Sequence, residues 1–224
     1  LRESLRAPLL KVRDMLNATS EIADEKTLVR RNRVISNSER LLRLIDELLS
    51  VESLRPGQIV GDLKSERIEH IVEAATELLN DYSVKQDVGI KVESQSAEVM
   101  ADFDRLVQVV VNLLSNAIKF SPAGSDVVVS VKELGSAGGT DTTRSTANDI
   151  IEVSITDSGR GVPKELQESI FKPYVQASAG DRVKGTGLGL PICRTIVESH
   201  GGSIGVTSEG EGSTFWFRIP KVGG

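Results

Sequence analysis

The sequence predicts an α+β chain in two parts, a two-helix hairpin followed by an α/β sandwich, and three observations carry that reading. Residues 1–53 contain no glycine and repeat their apolar residues at helical spacing. An Arg55-Pro56-Gly57 break follows. Beyond it, short runs rich in Val and Ile alternate with amphipathic stretches, the pattern of a layered α/β domain. The 224 residues allow one or two domains, and 39% hydrophobic with 26% charged residues is ordinary globular usage, which excludes wholesale disorder and a disulfide scaffold.

In the first part, Leu5, Leu9, Val12 and Leu16 share one face, and Ile35, Leu42, Ile45 and Leu49 recur at coiled-coil spacing with Val34, Leu41 and Leu48 widening the stripe. The polar stretch Thr19 to Glu25 is the turn between two helices. A stripe this broad is buried by a second copy of the hairpin, giving a four-helix bundle in a homodimer, or by the rest of the same chain as a monomeric antiparallel pair. The expected domains are 1–57, the dimerisation hairpin, and 58–224, the sandwich.

In the second part, helices are expected over about Ser65 to Asn80, Asp102 to Phe120 and Leu188 to His200. Strands are expected near Ile90 to Glu93, Val127 to Glu133, Ile150 to Asp157, Ser203 to Ser208 and Thr214 to Ile219. Gly135 to Asn148 is small and polar and reads as a flexible loop joining two adjacent strands.

The charge balance of 27 basic against 32 acidic residues, net −5, offers no footprint for nucleic acid. A single cysteine, Cys193, fits a reducing compartment. No apolar run approaches the roughly 20 residues that span a bilayer, and no signal peptide opens the chain, so a soluble, cytoplasmic portion is expected. Its first residue is Leu1 and not Met, which reads as a fragment, with an upstream sensor or membrane anchor left open.

Three short motifs bear chemistry. On the helix from Asp102, Leu106, Val110, Leu113 and Ala117 form a core stripe, and Asn112, Asn116 and Lys119 form another. The second stripe supplies carboxamide oxygens for a hard cation and a positive charge for phosphates, or is a solvated polar edge. In the strand ending at Asp157, Ile151, Val153, Ile155 and Asp157 point the same way, which puts a carboxylate at the end of an apolar face. Such a group needs either a turn amide or a ligand's hydrogen-bond donor. Gly185-Thr186-Gly187-Leu188-Gly189 opens the last helix, either as a phosphate cradle at a helix N-terminus or as a helix start with Pro191 in its first turn. It lacks the third glycine of a dinucleotide fingerprint, since Leu190 stands there, and no GxxxxGK[ST] run exists.

Together these motifs resemble the catalytic core of sensor histidine kinases, within the ATPases that also include gyrase, Hsp90 and MutL. Asn112-Leu113-Leu114-Ser115-Asn116-Ala117-Ile118-Lys119-Phe120 is similar to that family's asparagine box, Asp157-Ser158-Gly159-Arg160-Gly161 to its first glycine box, Ile170-Phe171-Lys172-Pro173-Tyr174 to its phenylalanine box and Gly185 to Gly189 to its second glycine box. His200-Gly201-Gly202 and Gly212 to Phe217 match as well. The resemblance implies ATP bound with Mg. It makes Asn116 the metal ligand, with Asn112 completing the shell directly or through water, and brings Lys119 to the phosphates. Asp157 then accepts a hydrogen bond from the adenine amino group, Gly159 and Gly161 let the backbone pass close to the base, and Gly185, Gly187, Leu188 and Gly189 line the phosphates. The segment between Gly161 and Gly185, with Ser178-Ala179-Gly180-Asp181, is a lid. Thr214 near the adenine is a weaker transfer.

One departure stands out. The family's first helix carries a histidine, an acid and then a leucine-arginine-small-proline-leucine run, which Leu5-Arg6-Ala7-Pro8-Leu9 preserves. Counting back puts Glu3 at the acceptor position and Ser4 at that of the neighbouring acid, and a carboxylate has no ring nitrogen to phosphorylate. The remaining histidines, His70 at a helix start and His200 at a helix end, read as structural. The expectation is a histidine-kinase-like core that binds Mg-ATP in a two-component-type system, with a response regulator or a partner kinase as its partner. The alternative is a pseudokinase whose ATP occupancy switches conformation without phosphotransfer. A gyrase- or Hsp90-type ATPase is disfavoured, because Asn112 stands where those proteins carry a water-activating glutamate.

Overall fold

The computed structural model describes residues 61–135, 150–175 and 187–222. The hairpin with Glu3 and Ser4, the 55–57 break, all but the first residue of the Gly135–Asn148 loop, Ser178 to Asp181 and Gly185 lie outside the described residues.

The described part is α+β. A five-stranded sheet has the order β2-β4-β5-β7-β6, in which β2 (Val88–Ser94) runs parallel to β4 (Ser125–Leu134), and β5 (Ile150–Asp157), β7 (Ser213–Pro220) and β6 (Ser203–Thr207) follow antiparallel. Three helices pack on it: α1 (Ile68–Gln86), α2 (Phe103–Phe120) and α3 (Gly189–Ser199). The alternation of the strands decides which face they cover. Val127, Val129, Val131, Ile151, Val153, Ile155, Phe215, Phe217 and Ile219 are buried, whereas Glu152, Ser154, Thr156, Trp216 and Arg218 on the other face are more accessible. On that outer face Arg218 bonds Glu152 at 2.7 Å and lies 4.3 Å from the Trp216 ring centre.

The strand expected from Ile150 to Asp157 has those bounds, and the other expected strands extend by one to two residues or end one earlier. Two differences have physical causes. Ser65 to Arg67 are not helical. They belong to β1 (Lys64–Arg67), which pairs antiparallel with β3 (Glu98–Ala101) in a separate two-stranded sheet. β1 reads Lys-Ser-Glu-Arg and has no apolar residue to mark an alternation. At its other end α1 runs past Asn80 to Gln86 and stops where Asp87 takes a left-handed conformation, its N–H bonding the Ser83 and Val84 carbonyls. Residues 134 and 150 pair directly, so the polar stretch between them does join adjacent strands.

Among the described residues no helix is long and apolar enough to cross a membrane.

Candidate nucleotide site

The spine of the site is α2. Asp102 caps it, accepting the Arg105 N–H on Oδ1 at 3.2 Å. Leu106, Val110, Leu113 and Ala117 are buried as the periodicity requires, which leaves Asn112, Asn116 and Lys119 half-buried on another face. The Lys119 Nζ lies 5.1 Å from the Phe120 ring centre, and burial lowers its proton affinity below that of an ordinary lysine. Arg160 stacks on the same ring at 5.2 Å, so two cations flank one aromatic side chain.

Two glycine-bearing turns reach this helix. At its C-terminal end is the turn after β5, where Asp157 completes the buried face of the strand at 5% exposure. Its Oδ1 accepts the Gly159 N–H at 2.8 Å, and its Oδ2 accepts the Ser213 hydroxyl at 2.5 Å. The turn amide expected for this carboxylate is therefore present. An ionised carboxylate has about four acceptor positions, so capacity remains for a ligand donor. A Cβ at Gly159 would lie 2.6 Å from the Phe120 carbonyl oxygen, and Gly161 has φ +73° with the Gly210 carbonyl against it. The fold itself demands both glycines, ligand or not.

Nearer the middle of α2, a Cβ at Gly189 would lie 3.9 Å from the Asn112 carboxamide. This first residue of α3 thus stands beside Asn112, where a Cβ would make an ordinary contact. Gly187 has φ +72° and packs on Tyr174, itself at φ +65°, whose N–H bonds the Gly187 carbonyl at 3.0 Å. Leu188, expected with the cofactor-binding group, is 3% exposed, so its side chain belongs to the core.

Of the expected lid, residues 162–175 are among those described. Within them Ile170 and Phe171 are buried, and the Gln167 amide donates to the Val162 and Ser208 carbonyls at 3.1 and 2.9 Å, whereas Lys164, Glu165 and Tyr174 are exposed. An open groove of about 490 Å³ lies among Arg160, Val162, Gln167 and Ser208, and its lining includes neither Asp157 nor the asparagines. Cys193 is fully buried beneath α2, and burial pushes its thiol up to about 12 against a weaker opposing hydrogen bond with Asn112. His200 is buried with both ring nitrogens engaged, as a structural histidine should be, whereas His70 in the first turn of α1 is exposed.

Ser213, Arg160 and Phe120 were not singled out as site residues by the sequence. All three do stand inside the matching stretches, Ser213 in Gly212 to Phe217, but only the β5–β7 register pairs Ser213 with Asp157. Among the described residues no three His, Cys, Asp or Glu side chains gather as a metal centre. Two carboxamide oxygens suit magnesium only where phosphates and water complete the shell, and Asn112 beside the start of α3, with Asn116 one turn further along α2, fits that arrangement.

Residues 101–223 match the family model for the histidine kinase-, DNA gyrase B-, and HSP90-like ATPases. The chain is 31% identical over 99% of its length to the sensor protein KdpD of Clostridium acetobutylicum, of which it spans 24%. It is 30% identical over 97% of its length to the sensor-like histidine kinase SenX3 of Mycolicibacterium smegmatis, of which it spans 55%. The chain thus spans from about a quarter to about half of these curated relatives. Full-length ShkA, solved in complex with AMPPNP, superposes with a TM-score of 0.76 at 27% identity, covering 100% of this chain and 45% of that one. With the asparagine helix, the Asp157 turn and the glycine-led α3 on one scaffold, the chain belongs to the histidine kinase-, DNA gyrase B- and HSP90-like ATPases and has the catalytic core of a histidine kinase.

Proposed function

We propose that this chain is the Mg-ATP-binding core of a two-component-type signalling protein whose usual acceptor histidine is absent. The observation that carries the nucleotide reading is Asp157, a buried carboxylate at the end of an apolar strand face, oriented by Gly159 and Ser213 and still able to accept a proton donor. In this reading Asp157 accepts a hydrogen bond from the adenine amino group. Asn116 and Asn112 hold the metal, Lys119 lends charge to the phosphates, and Gly185, Gly187 and Gly189 give backbone amides at the N-terminus of α3. Bound magnesium would neutralise phosphate charge. The AMPPNP complex of ShkA supports the ligand class.

Residues 1–57 form the dimerisation hairpin in this proposal, with a response regulator or a partner kinase as the outside contact. Glu3 and Ser4 hold the places of the acceptor and its neighbouring acid. The chain's two histidines are His70 and His200, so none lies in the hairpin. That observation favours a second reading, a pseudokinase in which ATP occupancy sets the state of the hairpin. Titration calorimetry with an ATP analogue tests the nucleotide site, and labelling from γ-labelled ATP separates the two readings. A folded chain that binds no nucleotide would reject both.

A further inference from the structure

Helices α2 and α3 run antiparallel in a fixed register. Gly189 lies beside Asn112, the Cys193 Sγ is 3.9 Å from the Val109 carbonyl, and at the far end the caps of the two helices meet. The seven-residue step from Cys193 to His200 matches the seven-residue step from Val109 back to Asp102. The contact between the caps is specific. His200 is 6% exposed, and its Nε2 accepts the Asp102 N–H at 3.0 Å while its Nδ1 lies 2.8 Å from the Ile196 carbonyl oxygen. A carbonyl can only accept, so the proton sits on Nδ1 and the ring is the neutral tautomer with a lone pair on Nε2. The Asp102 carboxylate in turn caps Arg105 through Oδ1 and accepts the Gly61 N–H at 2.8 Å through Oδ2.

We infer that His200 is a positioning residue for the phosphate end of the site. By locking the end of α3 to the start of α2, it sets where Gly187 and Gly189 stand relative to Asn112 and Asn116, one helix length away. A slip of one residue along α2 would move the start of α3 by about 1.5 Å, enough to spoil a metal shell that tolerates little distortion. Asp157 lies on β5, outside this pair of helices, so adenine recognition does not depend on the register. The inference rests on the nucleotide reading above.

The test compares wild type, His200→Phe and His200→Gln for binding of Mg-AMPPNP and of adenosine, each by calorimetry, with circular dichroism to establish folding. His200→Phe keeps the ring and loses both hydrogen bonds. It should weaken Mg-AMPPNP about tenfold, the scale of one lost hydrogen bond, and leave adenosine unchanged. His200→Gln, whose amide can accept from Asp102 and donate to Ile196, should recover most of the loss. Equal loss of both ligands, or no loss of either, in the folded His200→Phe chain overturns the inference. Wild type that binds neither ligand defeats the nucleotide reading and this inference with it. If His200→Phe fails to fold, nitrogen spectra of the wild-type imidazole decide. An Nδ1–H ring that responds to Mg-AMPPNP and not to adenosine supports the inference, and an Nε2–H ring or the same response to both overturns it.

Discussion

Ser213 and Asp157 are direct cross-strand partners on β7 and β5, and the serine hydroxyl donates to the carboxylate Oδ2 at 2.5 Å. The strand ladder thus orients the side chain proposed to recognise adenine, and it does so through a residue of the strand and not of a loop. Thr214, the next residue, meets Thr156 at 3.0 Å instead and has no such contact with Asp157.

This relationship ranks two substitutions. Asp157→Asn turns one of the two acceptor oxygens, which serve Gly159 and Ser213 separately, into an NH2 donor, and should weaken AMPPNP binding by on the order of 1–3 kcal/mol. Ser213→Ala removes only the orienting bond and should cost less. Calorimetry on the folded variants checks the order, and unchanged binding in Asp157→Asn rejects the adenine assignment.

Magnesium should bind only with nucleotide, because two carboxamides are too few ligands to hold it alone. Asn116→Ala should lose most of the magnesium dependence of AMPPNP affinity, and Asn112→Ala less. Titrations with and without magnesium check this, and equal dependence in wild type and Asn116→Ala contradicts the assignment.

Glu69 gives a pH dependence that is separate from the site. Burial opposes its charge, but hydrogen bonds led by that from Ser96, with Arg67 contributing, outweigh it and hold the carboxyl at about 2 against an ordinary 4.5. A folded pKa below the unfolded one means that stability is present above pH 4.5 and is lost as pH falls towards about 2. Arg67 is half exposed, so solvent screening reduces the effect to roughly 1–2 kcal/mol. Melting temperatures at pH 7 and pH 3 should therefore fall further in wild type than in Glu69→Gln.

How much of this was legible in sequence depends on the range of each interaction. The α2 stripe of Leu106, Val110, Leu113 and Ala117 and the β5 alternation ending at Asp157 are local patterns, and both are buried as read. The β1–β3 pairing, the Ser213 bond to Asp157 and the His200 bond to Asp102 join residues 31 to 98 positions apart, and no local pattern encodes them. The burial of the Leu188 side chain, inside a glycine-rich motif, is set by how the start of α3 packs and not by the motif itself.

The central claim is a working nucleotide site without its usual acceptor, and phosphate transfer from γ-labelled ATP tests it most directly. Wild type should bind Mg-ATP and take up no acid-labile, base-stable label. Glu3→His with Ser4→Glu should gain such a label, because it supplies an imidazole and its neighbouring acid. Adding Asn116→Ala should remove the label again. A label of that stability on His70 or His200 of the wild-type chain would contradict the claim. If the double variant binds Mg-ATP, dimerises and stays unlabelled, the transfer geometry is missing as well, and the conformational-switch reading takes its place.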